Sequence, residues 1–506
     1  MMQLTSKSSD VVHQTAGLGL IYSAHWSAKL HALLLILVGL FSVVSADPHE
    51  QNHDCFVDGI DTRVQCGKVW VPENYDAPDA KQIPIRYVVL PAVQEGAKAD
   101  PLLILAGGPG QAATELAAGM NQIFTEVRKQ RDIVLIDQRG TGESNPLQCE
   151  LSRVDELVQP DDELDLAEVA AACLAKYPDT DMTQYHTVNA IRDFEAVRQF
   201  LGYQQVNLYG GSYGTRAGLV YLREAPAAVR AAILDAVAPT QVVIGPFGRH
   251  GADSFELIVA HCAAQAECAA RFPNLGQTYL ELMATLAAEP PQLALTDPLT
   301  NEPLNILMTA GRLSGVLRTA LYHPTTRRLI PLTISAGVQG NYRPLLGLMG
   351  SIMRQQPLYM GLTLSVLCSE DLPRATPELL AADANNDFIG GRTAEAFLAL
   401  CEPWPTFTPP ASWSAPVVSD IPTLLLSGGL DPVTPPAWGD LAAQTLSNST
   451  HLVAPYGAHT IASHTCANRL LATFLDTLDG AALDSSCLTQ QKAPLPFVRN
   501  VNGAGM

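Results

Sequence analysis

The chain has 506 residues, 47% of them hydrophobic and 16% charged, with a formal net charge of −19. That composition excludes a disordered or collagen-like polymer. So acidic a body also excludes nucleic-acid binding, which needs clustered Lys and Arg, and argues against docking on anionic lipid.

Lys29 is followed by the apolar run Leu30 to Val44 and the small-residue pattern Val44-Ser45-Ala46. Residues 1–46 therefore read as a secretory signal. The run is shorter than the ~20 apolar residues of a spanning helix, so no stable membrane association is expected once it is removed. The segment from Asp47 to Asp79 reads as irregular. Short apolar runs follow at Ile85–Leu90, Leu102–Leu105, Ile133–Ile136, Val206–Tyr209 and Ala232–Leu234, each ending in a turn. Between them Ile191, Phe194, Val197 and Leu201 recur at helical spacing. This alternation predicts an α/β fold whose mostly parallel sheet is flanked by helices. From 241 to 413 the pattern turns mainly helical, and strand-turn-helix rhythm resumes at Thr423–Ser427 and Leu452–Ala454. The expected organisation is a core in two parts, 47–240 and 414–490, interrupted by a helical cap at 241–413. A polar, loosely ordered tail is expected at 491–506.

Ten cysteines fall in close sequential pairs: Cys55 with Cys66, Cys149 with Cys173, Cys262 with Cys268, Cys368 with Cys401 and Cys466 with Cys487. Neighbour pairing is the expectation, although sequence alone leaves connectivity open. An even count fits an oxidising compartment, periplasmic or extracellular. No Cys-x-x-Cys pair is present, so no metal site is expected.

Four motifs carry chemistry. Gly210-Gly211-Ser212-Tyr213-Gly214 fits G-x-S-x-G, in which a serine sits on a strained strand-to-helix turn between glycines. A serine hydroxyl needs a base, and His459 follows the strand Leu452–Ala454 in the right place, ahead of His451, His464 and His186. Asp431, just past the strand Thr423–Ser427, is the expected orienting acid. Asp420 precedes that strand and Asp440 follows in a helix. Gly107-Gly108-Pro109-Gly110 closes an early strand, and the N–H groups of Gly108 and Tyr213 are the expected oxyanion donors. The order Ser, Asp, His is that of α/β-hydrolases, and this chemistry calls for no cofactor.

Together with Asp137-Gln138-Arg139-Gly140-Thr141-Gly142 and Gly428-Gly429-Leu430-Asp431-Pro432-Val433-Thr434-Pro435, these motifs resemble the prolyl and tripeptidyl aminopeptidase branch of the α/β-hydrolase fold. The resemblance runs from about Asp58 to Cys487. The region of Cys466 and Cys487 looks like the C-terminal part of the tripeptidyl group, and Ala106 stands where prolyl aminopeptidases often have His. The resemblance implies exopeptidase action on short peptides with free N-termini. It also implies cap carboxylates that bind the substrate's α-ammonium group, for which Glu370, then Asp371, is the candidate. Arg139 is expected to be structural rather than catalytic, its Asp137-Gln138-Arg139-Gly140 turn bracing the oxyanion loop through hydrogen bonds. An esterase or lipase with the same triad is the nearest alternative, and a non-catalytic binding protein a more distant one. The sequence leaves the oligomeric state open.

Overall fold

The computed structural model describes residues 50–149, 158–296, 303–353, 358–491 and 493–500. The expected signal at 1–46 lies outside the described residues. The strands are β1 (Glu50–Cys55), β2 (Val64–Pro72), β3 (Gln82–Leu90), β4 (Leu102–Leu105), β5 (Ile133–Ile136), β6 (Val206–Gly211), β7 (Val229–Asp235), β8 (Gln292–Thr296), β9 (Pro303–Leu307), β10 (Thr423–Gly428) and β11 (Ser449–Ala454). Nine of them form one sheet in the order β1-β2-β3-β5-β4-β6-β7-β10-β11, and β8 and β9 form a separate hairpin. Pairing is antiparallel from β1 to β5 and parallel from β5 to β11.

Leu102-Leu103-Ile104-Leu105 and Ile133-Val134-Leu135-Ile136 are apolar throughout because both faces of these strands are covered. Alternation sends Leu103, Leu105, Val134 and Ile136 to one face, beneath the helices Thr187–Phe200 and Tyr213–Glu224. It sends Leu102, Ile104, Ile133 and Leu135 to the other, against the helix Ala467–Thr477. The chain leaves β4 for β5 on one side and later returns to β6 on the other. That reversal opens a crevice at the strands' C-terminal ends, where open α/β sheets bind ligands.

Between β7 and β10 the chain makes a mainly helical insertion with a core of its own, built on residues such as Phe255, Tyr279, Leu313, Leu317 and Ile334. Insertion and sheet cluster together within the unit His49–Met506. Two expectations are corrected. The leading segment is not irregular, since it supplies β1 and β2. In β2 the buried residues Val64 and Cys66 pack on one face of the sheet and Val69 and Val71 on the other, so no single period-two pattern runs through the strand. Nor is the described part of the tail loose. Phe497 is buried in the insertion's core, and the Val498 N–H donates to the Arg328 carbonyl (3.0 Å). Among the described residues no helix is long and apolar enough to cross a membrane.

The five neighbouring cysteine pairs are joined, with Cα atoms 5.1 to 6.3 Å apart. Cys368–Cys401 spans 33 residues. Closing a loop of that length stabilises by about 3–4 kcal/mol on chain-entropy grounds. Replacing both cysteines by serine is therefore expected to lower the thermal midpoint in calorimetry by several degrees, and an unchanged midpoint would refute that estimate.

Candidate active site

Strand β6 ends at Gly211 and a helix begins at Tyr213. Ser212 lies between them at φ 57°, ψ −125°, outside the regions open to ordinary residues. The turn tolerates this only because its flanks lack side chains. A Cβ on Gly210 would stand 2.3 Å from the Gly214 carbonyl oxygen, and one on Gly214 would stand 2.0 Å from that of Leu105. The Ser212 N–H donates to the carbonyl of Asp235 at the end of β7 (2.9 Å).

Asp431 follows β10 and is buried. Its Oδ1 accepts the N–H groups of Val433 and Thr434 (both 2.9 Å), and its Oδ2 accepts the Thr434 hydroxyl (2.7 Å). Oδ2 also meets His459 Nδ1 at 2.8 Å. Burial alone would raise its pKa, but His459 and these donors outweigh burial and hold the carboxyl below the usual range. With Nδ1 committed to Asp431, the imidazole has Nε2 left for proton transfer.

The histidine loop is fastened to Asp235. Ile461 N–H and Ala462 N–H donate to its two carboxylate oxygens (2.9 Å each), and Tyr209 OH adds a third bond (3.0 Å). Asp235 thus holds the serine turn by its main chain and the histidine loop by its side chain. The loops meet where a Cβ on Gly211 would lie 3.6 Å from the Thr460 methyl. The insertion adds Tyr322, whose carbonyl accepts the His459 N–H (3.2 Å) and whose ring lies edge-on to the imidazole at 5.0 Å.

The Gly107–Gly110 loop lies against the serine turn, since a Cβ on Gly107 would be 3.3 Å from Ser212 Cβ. Gly107 N–H is taken by the Gln111 side chain (3.1 Å). Tyr213 is the first residue of its helix, so its N–H has no intrahelical acceptor. Its phenol is pinned by Thr187 Oγ1 (2.6 Å) and Gln138 Nε2 (3.3 Å). Arg139 is structural and points away from the glycine loop. It donates to both carboxylate oxygens of Asp193 (2.7 Å) and to the carbonyls of Glu73 and Gln184, tying the end of β2 to the helix Thr187–Phe200. Asp137 reaches the segment beyond the glycine loop instead, accepting the N–H and hydroxyl of Thr114 (2.8 Å each).

Residues 100–293 match the alpha/beta hydrolase fold family, and residues 386–487 match the TAP-like protein family. The chain is 29% identical over 472 residues to serine protease Hip1 of Mycobacterium tuberculosis, covering 83% of this chain and 88% of that protein. It is also 30% identical over 205 residues to tripeptidyl aminopeptidase of Streptomyces lividans, covering 36% and 37% respectively. The chain is a serine hydrolase of the α/β-hydrolase fold, similar to the TAP-like branch. The other histidines and acids weighed in the sequence have separate surroundings in this hydrolase. His186 caps a helix and stacks on Phe407, and burial, with Arg139 and Arg192 nearby, pushes its pKa down to about 3. His451 bridges the exposed Asp440 and the Ser427 hydroxyl. His464 accepts the Ala458 N–H (3.1 Å). Asp420 precedes β10, away from the crevice.

Glu370 and Asp371, the expected ammonium receptors, are both fully buried and have internal partners, although Asp371 Oδ2 has none among the described residues. Glu370 accepts the N–H and hydroxyl of Thr187 (2.7 Å each). Asp371 Oδ1 accepts from Arg216 (2.5 Å), the Ile244 N–H (2.9 Å) and Arg374 (3.2 Å). Glu370 instead supports Tyr213 through Thr187. Sequence patterning does not single out Asp235, Thr434 or Tyr322. The sole signal for Asp235 is a carboxylate ending an apolar strand.

Asp235→Asn would turn an amide N–H toward the two loop donors. Stability is expected to fall by about 2–4 kcal/mol, and turnover of a reporter ester to fall ~10- to 100-fold by displacement of His459. Unchanged kinetics would refute the anchoring role. Burial, the leading cause, lifts the Glu370 pKa to about 7. The folded chain therefore keeps a proton that the unfolded chain releases near the model-peptide value of about 4.3, so this contribution to stability falls as pH rises from about 4 to about 7. The stability of the natural protein minus that of Glu370→Gln is expected to be lower at about pH 8 than at about pH 5 in urea titrations. A difference that does not change with pH would contradict it.

Proposed function

We propose that Ser212, Asp431 and His459 form the catalytic triad of an exported exopeptidase that cleaves short peptides near free N-termini. The observation that carries this reading is the strained Ser212 turn fastened, through Asp235, to the loop whose histidine bonds Asp431. His459 Nε2 takes the proton of Ser212, which attacks the scissile carbonyl. The N–H groups of Gly108 and Tyr213 receive the oxyanion, each such donor being worth roughly 3 kcal/mol. His459 then protonates the leaving amine, and water hydrolyses the acyl-enzyme.

The peptide substrate is supported by the serine protease and tripeptidyl aminopeptidase relatives. Export is supported by the five disulfides, which persist in oxidising compartments. The insertion is proposed to act as a cap, its Tyr322 lying directly on His459.

Turnover of tripeptidyl anilides is expected to fall by ~10⁴-fold or more in Ser212→Ala. Acetylating the substrate N-terminus is expected to remove most of the activity of the natural enzyme. Equal rates on free and blocked peptides would overturn the exopeptidase reading, and faster hydrolysis of simple acyl esters than of any peptide would favour an esterase.

A further inference from the structure

In the loop Gly107-Gly108-Pro109-Gly110, Gly108 is exposed while Gly107, Pro109 and Gly110 are buried. Its N–H has no acceptor among the described residues. Bonds from two sides hold the loop. From within, the Gln111 N–H donates to the Gly107 carbonyl (3.2 Å) and the Gln111 side chain takes the Gly107 N–H (3.1 Å). The Gly107 carbonyl and the Gly108 N–H belong to one planar peptide group, so this ring restrains the donor on its N-terminal side.

The other side is held by the insertion. Thr363, on the helix Met360–Val366, donates its hydroxyl to the Pro109 carbonyl (2.6 Å). The Tyr359 N–H donates to the Gly110 carbonyl (2.8 Å), and the Tyr359 hydroxyl to Glu115 just beyond the loop (2.7 Å). Thr363 is buried. Its single hydroxyl proton has a second acceptor in the Tyr359 carbonyl of its own helix, at 3.4 Å, and the shorter bond is the one to Pro109. The fit is close, since a Cβ on Gly110 would stand 2.5 Å from Thr363 Oγ1. Gly108 and Gly110 lie at φ 106° and 111°, a region in which glycine imposes no stiffness of its own. An oxyanion donor is effective only when it is already aimed at the place where charge develops. The insertion supplies that rigidity.

We propose that Thr363 is a positioning residue for the Gly108 donor, acting through the Pro109 carbonyl. This rests on the assignment of Gly108 to the oxyanion of the Ser212 reaction. Without the hydroxyl the Pro109 peptide loses its restraint and the Gly108 N–H turns from its aim. The loss is felt when the carbonyl oxygen becomes charged, so turnover falls while substrate binding is kept.

The test compares Thr363→Val, which keeps the shape and removes the donor, with Thr363→Ser, which keeps the hydroxyl. On tripeptidyl anilides and on a reporter ester, Thr363→Val is expected to lower kcat ~10- to 100-fold with KM held within about twofold. Thr363→Ser is expected to stay within about threefold of the natural enzyme. A peptide aldehyde, whose adduct with Ser212 carries the oxyanion, is expected to lose affinity in step with kcat in Thr363→Val, while a free tripeptide product binds as before. Tyr359→Phe, which breaks only the exposed bond to Glu115, serves where the buried substitution impairs folding. It is expected to lower kcat ~2- to 5-fold with the same pattern. Turnover that Ser212→Ala abolishes and both Thr363→Val and Tyr359→Phe leave intact would overturn this inference alone. Equal losses in Thr363→Val and Thr363→Ser, or a raised KM with kcat unchanged, would do the same. Turnover that survives in Ser212→Ala would overturn the triad reading and this inference with it.

Discussion

The Asp235 carboxylate is the interaction on which the site depends, because the sheet alone does not bring serine and histidine together. Ser212 follows β6, Asp235 ends β7, Asp431 follows β10 and His459 follows β11, four neighbouring parallel strands in that order. Strands lie about 4.8 Å apart, so β6 and β11 are separated by about 14 Å. The histidine loop has to reach back across two strands. Asp235 ends the strand next to β6, and its two bonds to Ile461 and Ala462 draw the loop toward the serine turn that its own carbonyl holds. A buried carboxylate is expensive; the three hydrogen bonds offset only part of that cost, and burial still raises the Asp235 pKa to about 6.

Strands with both faces covered were plain in the sequence because every residue in them is apolar. Those runs then placed the motif residues at strand ends. The antiparallel edge was hidden, since the buried side chains of β2 change sheet face between Cys66 and Val69 and β1 is short and polar. The acidic pair Glu370-Asp371 misled for a different reason. Two adjacent carboxylates look available in a linear chain, but Thr187 and Arg216, 183 and 155 residues away, consume them. Asp235 was missed likewise, because its partners lie 226 and 227 residues further on. Long-range polar partnerships leave no periodic trace, whereas burial of strands and helices does.

The insertion reaches residues at the crevice directly. Tyr322 touches the histidine by main chain and ring, while Glu370 reaches Tyr213 by way of Thr187. Changes in the insertion therefore act on the surroundings of His459 and Tyr213. The tail joins the same assembly, since Phe497 packs into the insertion's core.

The spacing of the disulfides has a consequence for how the chain matures. The five bridges join partners separated by 6, 11, 21, 24 and 33 residues, and no two bridges interleave along the chain. Ten thiols admit hundreds of pairings, yet each cysteine here bonds its next neighbour in sequence. A chain delivered from its N-terminus into an oxidising space would present each pair nearly at once. Correct connectivity is then the product of simple order of arrival, and little reshuffling is needed before the sheet closes around its active site.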